Sequence, residues 1–283
     1  MNLIILGSGF DLDLGLRNSF GEFSNHRLNP ACGAKSWSDF ERNLREQIIY
    51  WYNHGMDDQF AKQINQFWQI YRKNLSYFFT ERSDDFLIDP NKCAYKFLQS
   101  LSETCKVYTF NYTDPYEYIK HYKHREIIHI HGVHHRDTFK KELMVMSQYN
   151  GLVLGVDSEC IPLDAMENKY IKPIAKIHQR GYSQTNIVDD LSESENIIFF
   201  GFSMNEVDFG YFRKLFHEIE NGLSSCKRIV YINLNENAFH TFCNNLRKNG
   251  VNLDLLVNNV NLQPYYTEQG SENEEFYGIL KLL

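Results

Sequence analysis

The sequence has no Cys-x-x-Cys pair, no long apolar run and no excess of positive charge. Its six cysteines are scattered, so neither a zinc ribbon nor a disulfide framework is expected. No segment approaches the roughly 20 apolar residues of a membrane span. The net charge of -7 gives no overall attraction to nucleic acid or anionic lipid. Because a basic leader and a cleavage site are also missing, we expect a cytoplasmic protein that binds neither nucleic acid nor membrane.

The composition indicates a globular protein with a substantial core. The 283 residues are 43% hydrophobic and 15% aromatic, which excludes a disordered chain. Strand and helix patterns alternate from residue 106 onward, and this order is typical of a parallel, doubly wound α/β sheet. Strands are predicted at 3–6, 107–110, 126–131, 152–156, 196–200, 228–233 and 253–257. Helices are predicted at 39–52, 91–101, 116–122, 164–178, 207–220, 235–249 and 277–283.

Residues 20–104 separate the first two predicted strands by far more chain than a simple crossover needs. They contain an apolar stripe at helical spacing that is typical of core packing, formed by Phe60, Ile64, Phe67, Trp68, Tyr71, Leu75 and Phe78. We therefore predict one α/β domain over residues 1–283, with a helical insertion at 20–104.

The first predicted strand ends in the turn Gly7-Ser8-Gly9. Glycines at the carboxyl end of a parallel strand allow a close backbone approach, and such an edge commonly binds phosphates or nucleotides. A tight turn without a ligand would need the same glycines. Leu12 occupies the place of a third glycine, and no strand-end acid follows about 20 residues later, so a hydride-transfer enzyme is not expected.

Polar residues also follow three other predicted strands. Asn111 and Asp114 follow the second strand, although both could simply cap a turn and a helix. His131 ends the next strand, on the same side as His129. Gly201 and Ser203 follow the strand at 196–200, and Ser203 with Glu206 spells a capping box. Asp208 would then lie in the first helical turn, where a carboxylate is favoured.

These segments resemble the AbiH family of bacterial abortive-infection proteins. The resemblance rests on Gly-Ser-Gly-Phe-Asp-Leu at residues 7–12, the stretch at 15–23, Phe-Asn-Tyr-Thr-Asp-Pro-Tyr-Glu at 110–117, Ile-His-Gly at 130–132 and Gly-Phe-Ser-Met-Asn-Glu-Val-Asp at 201–208. More distantly, the series is similar to the Sir2 superfamily, whose fold is a Rossmann-like NAD site. Sir2 deacylases read Asn-x-Asp where this chain has two residues between Asn111 and Asp114. They also use paired Cys-x-x-Cys zinc ligands, which this chain lacks, so protein deacetylation is not expected.

The resemblance implies NAD as ligand and cleavage of its nicotinamide–ribose bond. Asn111 would position water or the nicotinamide amide, His131 would act as a base toward a ribose hydroxyl, and Asp114 would hold the nicotinamide end. The turn at residues 7–9 would cradle the pyrophosphate. The implied nucleotide-binding residues are Gly7, Ser8, Gly9, Phe10, Asp11, Gly201, Phe202, Ser203 and Asp208.

Two other functions remain open at this point. The same edge could bind a nucleotide without turnover, in a sensor or a partner subunit of a defence system that uses the helical insertion to contact another protein. The chain could also form a homo-oligomer. Alternatively, a metal-dependent hydrolase could use His129, His131, His134 and His135. No acidic residue or cysteine accompanies these histidines at the spacing of a metal ligand, so we expect no bound metal.

Overall fold

A computed structural model describes residues 1–16, 88–117, 127–131 and 187–282, together with residue 119 and isolated positions between 22 and 78. The strands are β1 (Asn2–Leu6), β2 (Cys105–Thr109), β3 (Ile128–His129), β4 (Asn196–Phe200), β5 (Arg228–Asn233) and β6 (Asn261–Tyr266). The helices are α1 (Ser8–Leu14), α2 (Cys93–Ser100), α3 (Ile187–Glu193), α4 (Glu206–Phe209), α5 (Arg213–Glu220), α6 (Glu236–Lys248), α7 (Leu253–Asn259) and α8 (Glu274–Leu280). Short 3₁₀ turns lie at Pro115–Glu117 and Thr267–Gln269.

The six strands form one sheet in the order β3-β2-β1-β4-β5-β6, and every neighbouring pair is parallel. Because side chains alternate along a strand, the central strands bury residues on both faces. Leu3 and Ile5 of β1 pack with helices α3, α5, α6 and α7 on one face. Ile4 and Leu6 pack with α1, α2 and α8 on the other. The prediction of a parallel α/β sheet with helices on both faces is confirmed.

The structure differs from the sequence prediction in several elements. Residues 253–257 belong to α7 instead of a strand, and β6 follows at Asn261–Tyr266. The helix predicted at 207–220 is two helices, α4 and α5. The strand predicted at 126–131 is reduced to Ile128–His129, so His131 lies in the turn that follows.

Most of the predicted insertion at 20–104 lies outside the described residues, as do the strand predicted at 152–156 and the helix predicted at 164–178. Within the insertion, Leu75 and Phe78 of the apolar stripe are described, and both are completely buried. Phe78 packs edge-on against Phe23, with ring centroids 5.3 Å apart. These two stripe positions are core residues, while the extent of the insertion stays a prediction. Across the part of the chain that the structure describes, no helix combines the length and apolar character needed to cross a bilayer.

Candidate functional site

The candidate site lies at the carboxyl ends of β1 to β4. The strand order reverses between β1 and β4, since β2 and β3 continue on one side of this pair and β5 and β6 on the other. All strands are parallel, so the residues that follow them meet at one edge of the sheet. The structure brings together at this edge Ser8 after β1, Asn111 after β2, His131 after β3 and Ser203 after β4.

The turns after β1 and β4 are in direct backbone contact. The N–H groups of Gly7 and Gly9 donate to the carbonyl oxygens of Phe200 and Gly201, each at 2.9 Å. A Cβ at Gly7 would lie 2.5 Å from the oxygen of Gly201, and one at Gly9 would lie 2.7 Å from the Cα of Gly201. Gly201 has φ +66, and its own Cβ would overlap the amide nitrogen of Phe10. The three glycines are therefore required for the two turns to meet.

This contact determines which groups of the first turn face outward. Two of its amides donate within the protein, whereas Ser8 between them is exposed. Phe10 is fully buried and packs edge-on against Phe200, with ring centroids 5.1 Å apart. Phe202 is also buried, 4.7 Å from the ring of Phe110. Of the implied nucleotide-binding residues, Phe10 and Phe202 are therefore part of the hydrophobic core, whereas Ser8 lies on the protein surface at the carboxyl edge of the sheet.

Asn111 connects the turn after β2 to the turn after β1. Its Nδ2 donates to the oxygen of Gly7 at 2.9 Å and to Oδ1 of Asp11 at 2.8 Å. The other carboxylate oxygen of Asp11 accepts a hydrogen bond from the hydroxyl of Thr113. Asp11 is completely buried, and a buried carboxylate needs such donors. Both N–H groups of the Asn111 amide are used in this way, which leaves Oδ1 as the atom with which it can accept a further hydrogen bond.

Asp114 caps the short turn that follows it. Its Oδ1 accepts a hydrogen bond from the N–H of Tyr116 at 2.9 Å, at the start of the 3₁₀ turn Pro115–Glu117. This is the capping role that the sequence allowed for Asp114. Its implied contact with nicotinamide stays a prediction.

His131 is buried at the edge of the sheet and faces Asp208. Nε2 of His131 lies 3.2 Å from Oδ1 of Asp208. The contact has the distance of an ion pair, but not the alignment of a full hydrogen bond. The His131 ring also meets Phe110 edge-on, with centroids 5.2 Å apart, and lies 6.0 Å from the ring of Tyr112. These contacts fix the imidazole between two aromatic rings and a carboxylate.

Ser203 lies before α4 but does not cap it. The N-cap of α4 is Asn205, whose side chain makes no capping hydrogen bond. Ser203 instead accepts a hydrogen bond from Nδ2 of Asn205 at 2.7 Å, while its carbonyl accepts one from Asn245 of α6 at 2.8 Å. The predicted capping box is wrong: the Ser203 hydroxyl contacts Asn205, its carbonyl is bound by α6, and the helix begins at Glu206 with Asn205 as its N-cap.

The sequence did not predict two further residues that contact the turns at this edge, Asn233 and Asn245. Nδ2 of Asn233 donates to the hydroxyl of Tyr231 at 2.7 Å, and a Cβ at Gly9 would lie 3.1 Å from Oδ1 of Asn233. Burial raises the pKa of Tyr231, so its phenol stays protonated and donates to the oxygen of Ala238. Asn233 is the last residue of β5, and this strand-end position was the available signal, whereas Asn245 lies within a helix and gave none.

The described residues hold no group of three histidine, cysteine, aspartate or glutamate side chains suited to a metal ion. His129 points toward the protein backbone, with Nδ1 3.3 Å from the oxygen of Asn111. His134 and His135 lie outside the described residues.

Comparison with known protein families identifies the family of this chain. The family model described as bacteriophage abortive infection AbiH matches residues 3–229, a range that runs from β1 into β5 and includes all four turns of the candidate site. No curated protein and no solved structure matches the chain. The match covers most of the sequence, so the chain belongs to the bacteriophage abortive infection AbiH family, and this membership supports a role in abortive infection.

Proposed function

We propose that the protein binds an NAD-like dinucleotide at the carboxyl edge of the sheet and cleaves its nicotinamide–ribose bond. Loss of NAD would arrest an infected cell, and this outcome is consistent with abortive infection. The distant resemblance to Sir2 proteins suggested this ligand, and the arrangement of strands and side chains supports it.

The strand order supports the location of the ligand. The order β3-β2-β1-β4-β5-β6 is the one found in dinucleotide-binding doubly wound sheets, where the ligand lies outside the carboxyl ends at the point of reversal. Here that point lies between β1 and β4, whose turns contain the exposed Ser8 and the half-buried Ser203. These hydroxyls are suited to hydrogen bonds with ribose or phosphate oxygens. Since a fold alone does not define an activity, the chemistry depends on the side chains beside them.

The observation that carries the proposal is the placement of Asn111 and His131 after neighbouring strands. His129 ends β3 and contacts the carbonyl of Asn111, so the turn of β3 is held against the turn of β2. A base and an acceptor amide therefore lie at the same edge as the nucleotide-type turn. This combination can support hydrolysis of a glycosidic bond.

Cleavage breaks the bond between ribose and nicotinamide, and its electron pair leaves with nicotinamide. Water adds to the ribose carbon, so the products are nicotinamide, ADP-ribose and one proton. Asn111 would accept a hydrogen bond through Oδ1 from the water or from the nicotinamide amide. His131 would accept a proton from a ribose hydroxyl, and general-base help of this kind contributes about 10²–10⁴-fold.

The test is nicotinamide release from NAD by the purified protein and by the variants Asn111→Ala and His131→Ala. We expect His131→Ala to lower the rate by about 10²–10⁴-fold and Asn111→Ala to lower it clearly. His240→Ala is the matched control, because His240 is an exposed histidine of α6 that contacts Glu236. Unchanged rates in both site variants would remove the catalytic assignment.

Nucleotide binding without turnover is the second candidate, and the hydrogen bonds of the polar residues favour it. The N–H groups of Asn111 and one carboxylate oxygen of Asp114 are used to hold the turns themselves. A sensor of this kind would be stabilised by the nucleotide and release no nicotinamide.

A further inference from the structure

We infer that Asp208 is a positioning residue, which holds the His131 imidazole in the form that carries its proton on Nε2 and thereby makes Nδ1 the basic atom. The inference deepens the proposed function and rests on it for the role of His131 as a base. It also changes the expectation for Asp208, which the sequence placed among the nucleotide-binding residues.

The first step is the contact between the two side chains. Oδ1 of Asp208 lies 3.2 Å from Nε2 of His131, and both side chains are largely buried, at 15% and 6% exposure. An unprotonated Nε2 would direct its lone pair at a carboxylate oxygen, and this arrangement is repulsive. A proton on Nε2 turns the same contact into an attraction between a donor and an anionic acceptor.

The second step is the effect on the other ring nitrogen. A neutral imidazole carries one proton, so a proton held on Nε2 leaves the lone pair on Nδ1. The atom that can accept a proton from a ribose hydroxyl is then Nδ1. When Nδ1 takes that proton, the ring becomes cationic, and the Asp208 carboxylate stabilises the charge. The proton balance is complete within the His131–Asp208 pair and the substrate hydroxyl.

The third step is the position of Asp208 in its own helix. Asp208 lies in the first turn of α4, whose N-cap residue Asn205 makes no capping hydrogen bond with its side chain. The carboxylate of Asp208 lies against Nε2 of His131. Glu206, two residues earlier in the same turn, points elsewhere and binds Nε of Arg42 at 3.0 Å. The two acidic residues of one short helix thus have different partners, and Glu206 provides a matched control.

The imperfect alignment of the pair agrees with a catalytic arrangement before substrate binds. Catalytic hydrogen bonds are often long or poorly aligned in the free enzyme and tighten in the substrate complex. The aromatic contacts of His131 with Phe110 and Tyr112 restrict the ring from other directions.

The experiment reads the tautomer of His131 by ¹⁵N NMR of the histidine rings in the full-length protein without substrate. The signal is assigned by its loss in His131→Gln. We expect the Nε2-protonated form in the wild type and in Glu206→Gln, and a shift toward a mixture of tautomers in Asp208→Ala. Nicotinamide release should fall roughly tenfold or more in Asp208→Ala, but less than the 10²–10⁴-fold expected for loss of the base itself, and Glu206→Gln should stay near the wild-type rate.

A wild-type ring protonated on Nδ1, or a tautomer that does not change in Asp208→Ala, would overturn the inference. Because the NMR measurement needs no substrate, it remains decisive if NAD is not hydrolysed. The absence of nicotinamide release would count against the proposed function alone. Asp208→Leu is the second variant in case Asp208→Ala does not fold, since it preserves most of the side-chain volume. It removes the acceptor from Nε2, so it should also shift the ring toward a mixture of tautomers.

Discussion

Nδ2 of Asn111 lies 2.8 Å from Oδ1 of Asp11, so the turn after β2 holds a carboxylate buried in the helix after β1. The same Nδ2 binds the oxygen of Gly7. Two segments that are 100 residues apart in sequence are thereby joined at the candidate site. The position of Oδ1 of Asn111, the atom proposed to contact water or nicotinamide, depends on this connection.

The connection predicts energetic coupling between Asp11 and Asn111. Asn111→Ala removes a donor from a buried carboxylate, and we expect it to lower the free energy of unfolding by about 1–3 kcal/mol. Asp11→Ala should also destabilise the protein, because it leaves the amide of Asn111 without one acceptor. In the double variant the two losses should overlap, with a coupling energy of roughly 0.5–3 kcal/mol. Urea unfolding of the four proteins measures it, and strictly additive losses would contradict the connection.

The contact between the turns of β1 and β4 predicts a strong effect at Gly201. Gly201→Ala adds a Cβ against the backbone of Gly9 and Phe10 at a positive φ, so we expect marked destabilisation and loss of nucleotide binding. Gly250→Ala is the matched control, since Gly250 has φ +87 with nothing near its Cβ. The control should show backbone strain only, at about 1–3 kcal/mol. Thermal unfolding compares them, and equal losses would mean that the turns do not need to touch.

Nucleotide binding and turnover can be separated by thermal stability. If NAD binds the folded state and not the unfolded chain, NAD at 100 times its Kd should raise the free energy of unfolding by about 2.7 kcal/mol. His131→Ala should keep this stabilisation, because the proposed role of His131 is proton transfer. Ser8 lies on the edge itself, so Ser8→Trp should weaken the stabilisation by blocking the site. Differential scanning fluorimetry with NAD measures both, and wild-type stabilisation in Ser8→Trp would place the ligand elsewhere.

Because buried thiol and phenol groups keep their protons to a higher pH than they do in the unfolded chain, we expect the protein to lose stability at alkaline pH. Burial raises the pKa of Cys93 to about 12, with a further contribution from the nearby Asp13 carboxylate. The unfolded chain then ionises first, so the stabilisation is complete below about pH 9 and falls as the pH rises toward about 12. In Cys93→Ala the free energy of unfolding should decrease less steeply over this range. Denaturant titrations between pH 8 and pH 11 test it, and an unchanged slope would contradict the assignment.

The sequence was sufficient to predict the central strands and the edge of the sheet at which the polar residues meet. The apolar segments 196–200 and 228–233 match β4 and β5 residue for residue, because strands buried on both faces produce continuous apolar runs. The sequence did not predict β6, which contains Pro264. A proline is tolerated there because β6 lies at the edge of the sheet, and edge position is a property of the complete fold.

The errors have similar causes. The apolar run 253–257 fits a strand or a helix equally well. Asn252 favours the helix, because its side chain accepts hydrogen bonds from the N–H groups of Asp254 and Leu255. Ser203 and Glu206 have the spacing of a capping box, but Asn245 from α6 binds the loop. The pairing of His131 with Asp208 has no local signature, since it depends on how the turns after β3 and β4 approach each other.

The most direct test of the central claim is the product balance when the wild-type protein is incubated with NAD. Chromatography of the mixture should show nicotinamide and ADP-ribose appearing in equal amounts as NAD disappears, with about 10²–10⁴-fold less of both from His131→Ala over the same period. NAD that stays intact while it stabilises the protein against heat would contradict cleavage of the nicotinamide–ribose bond.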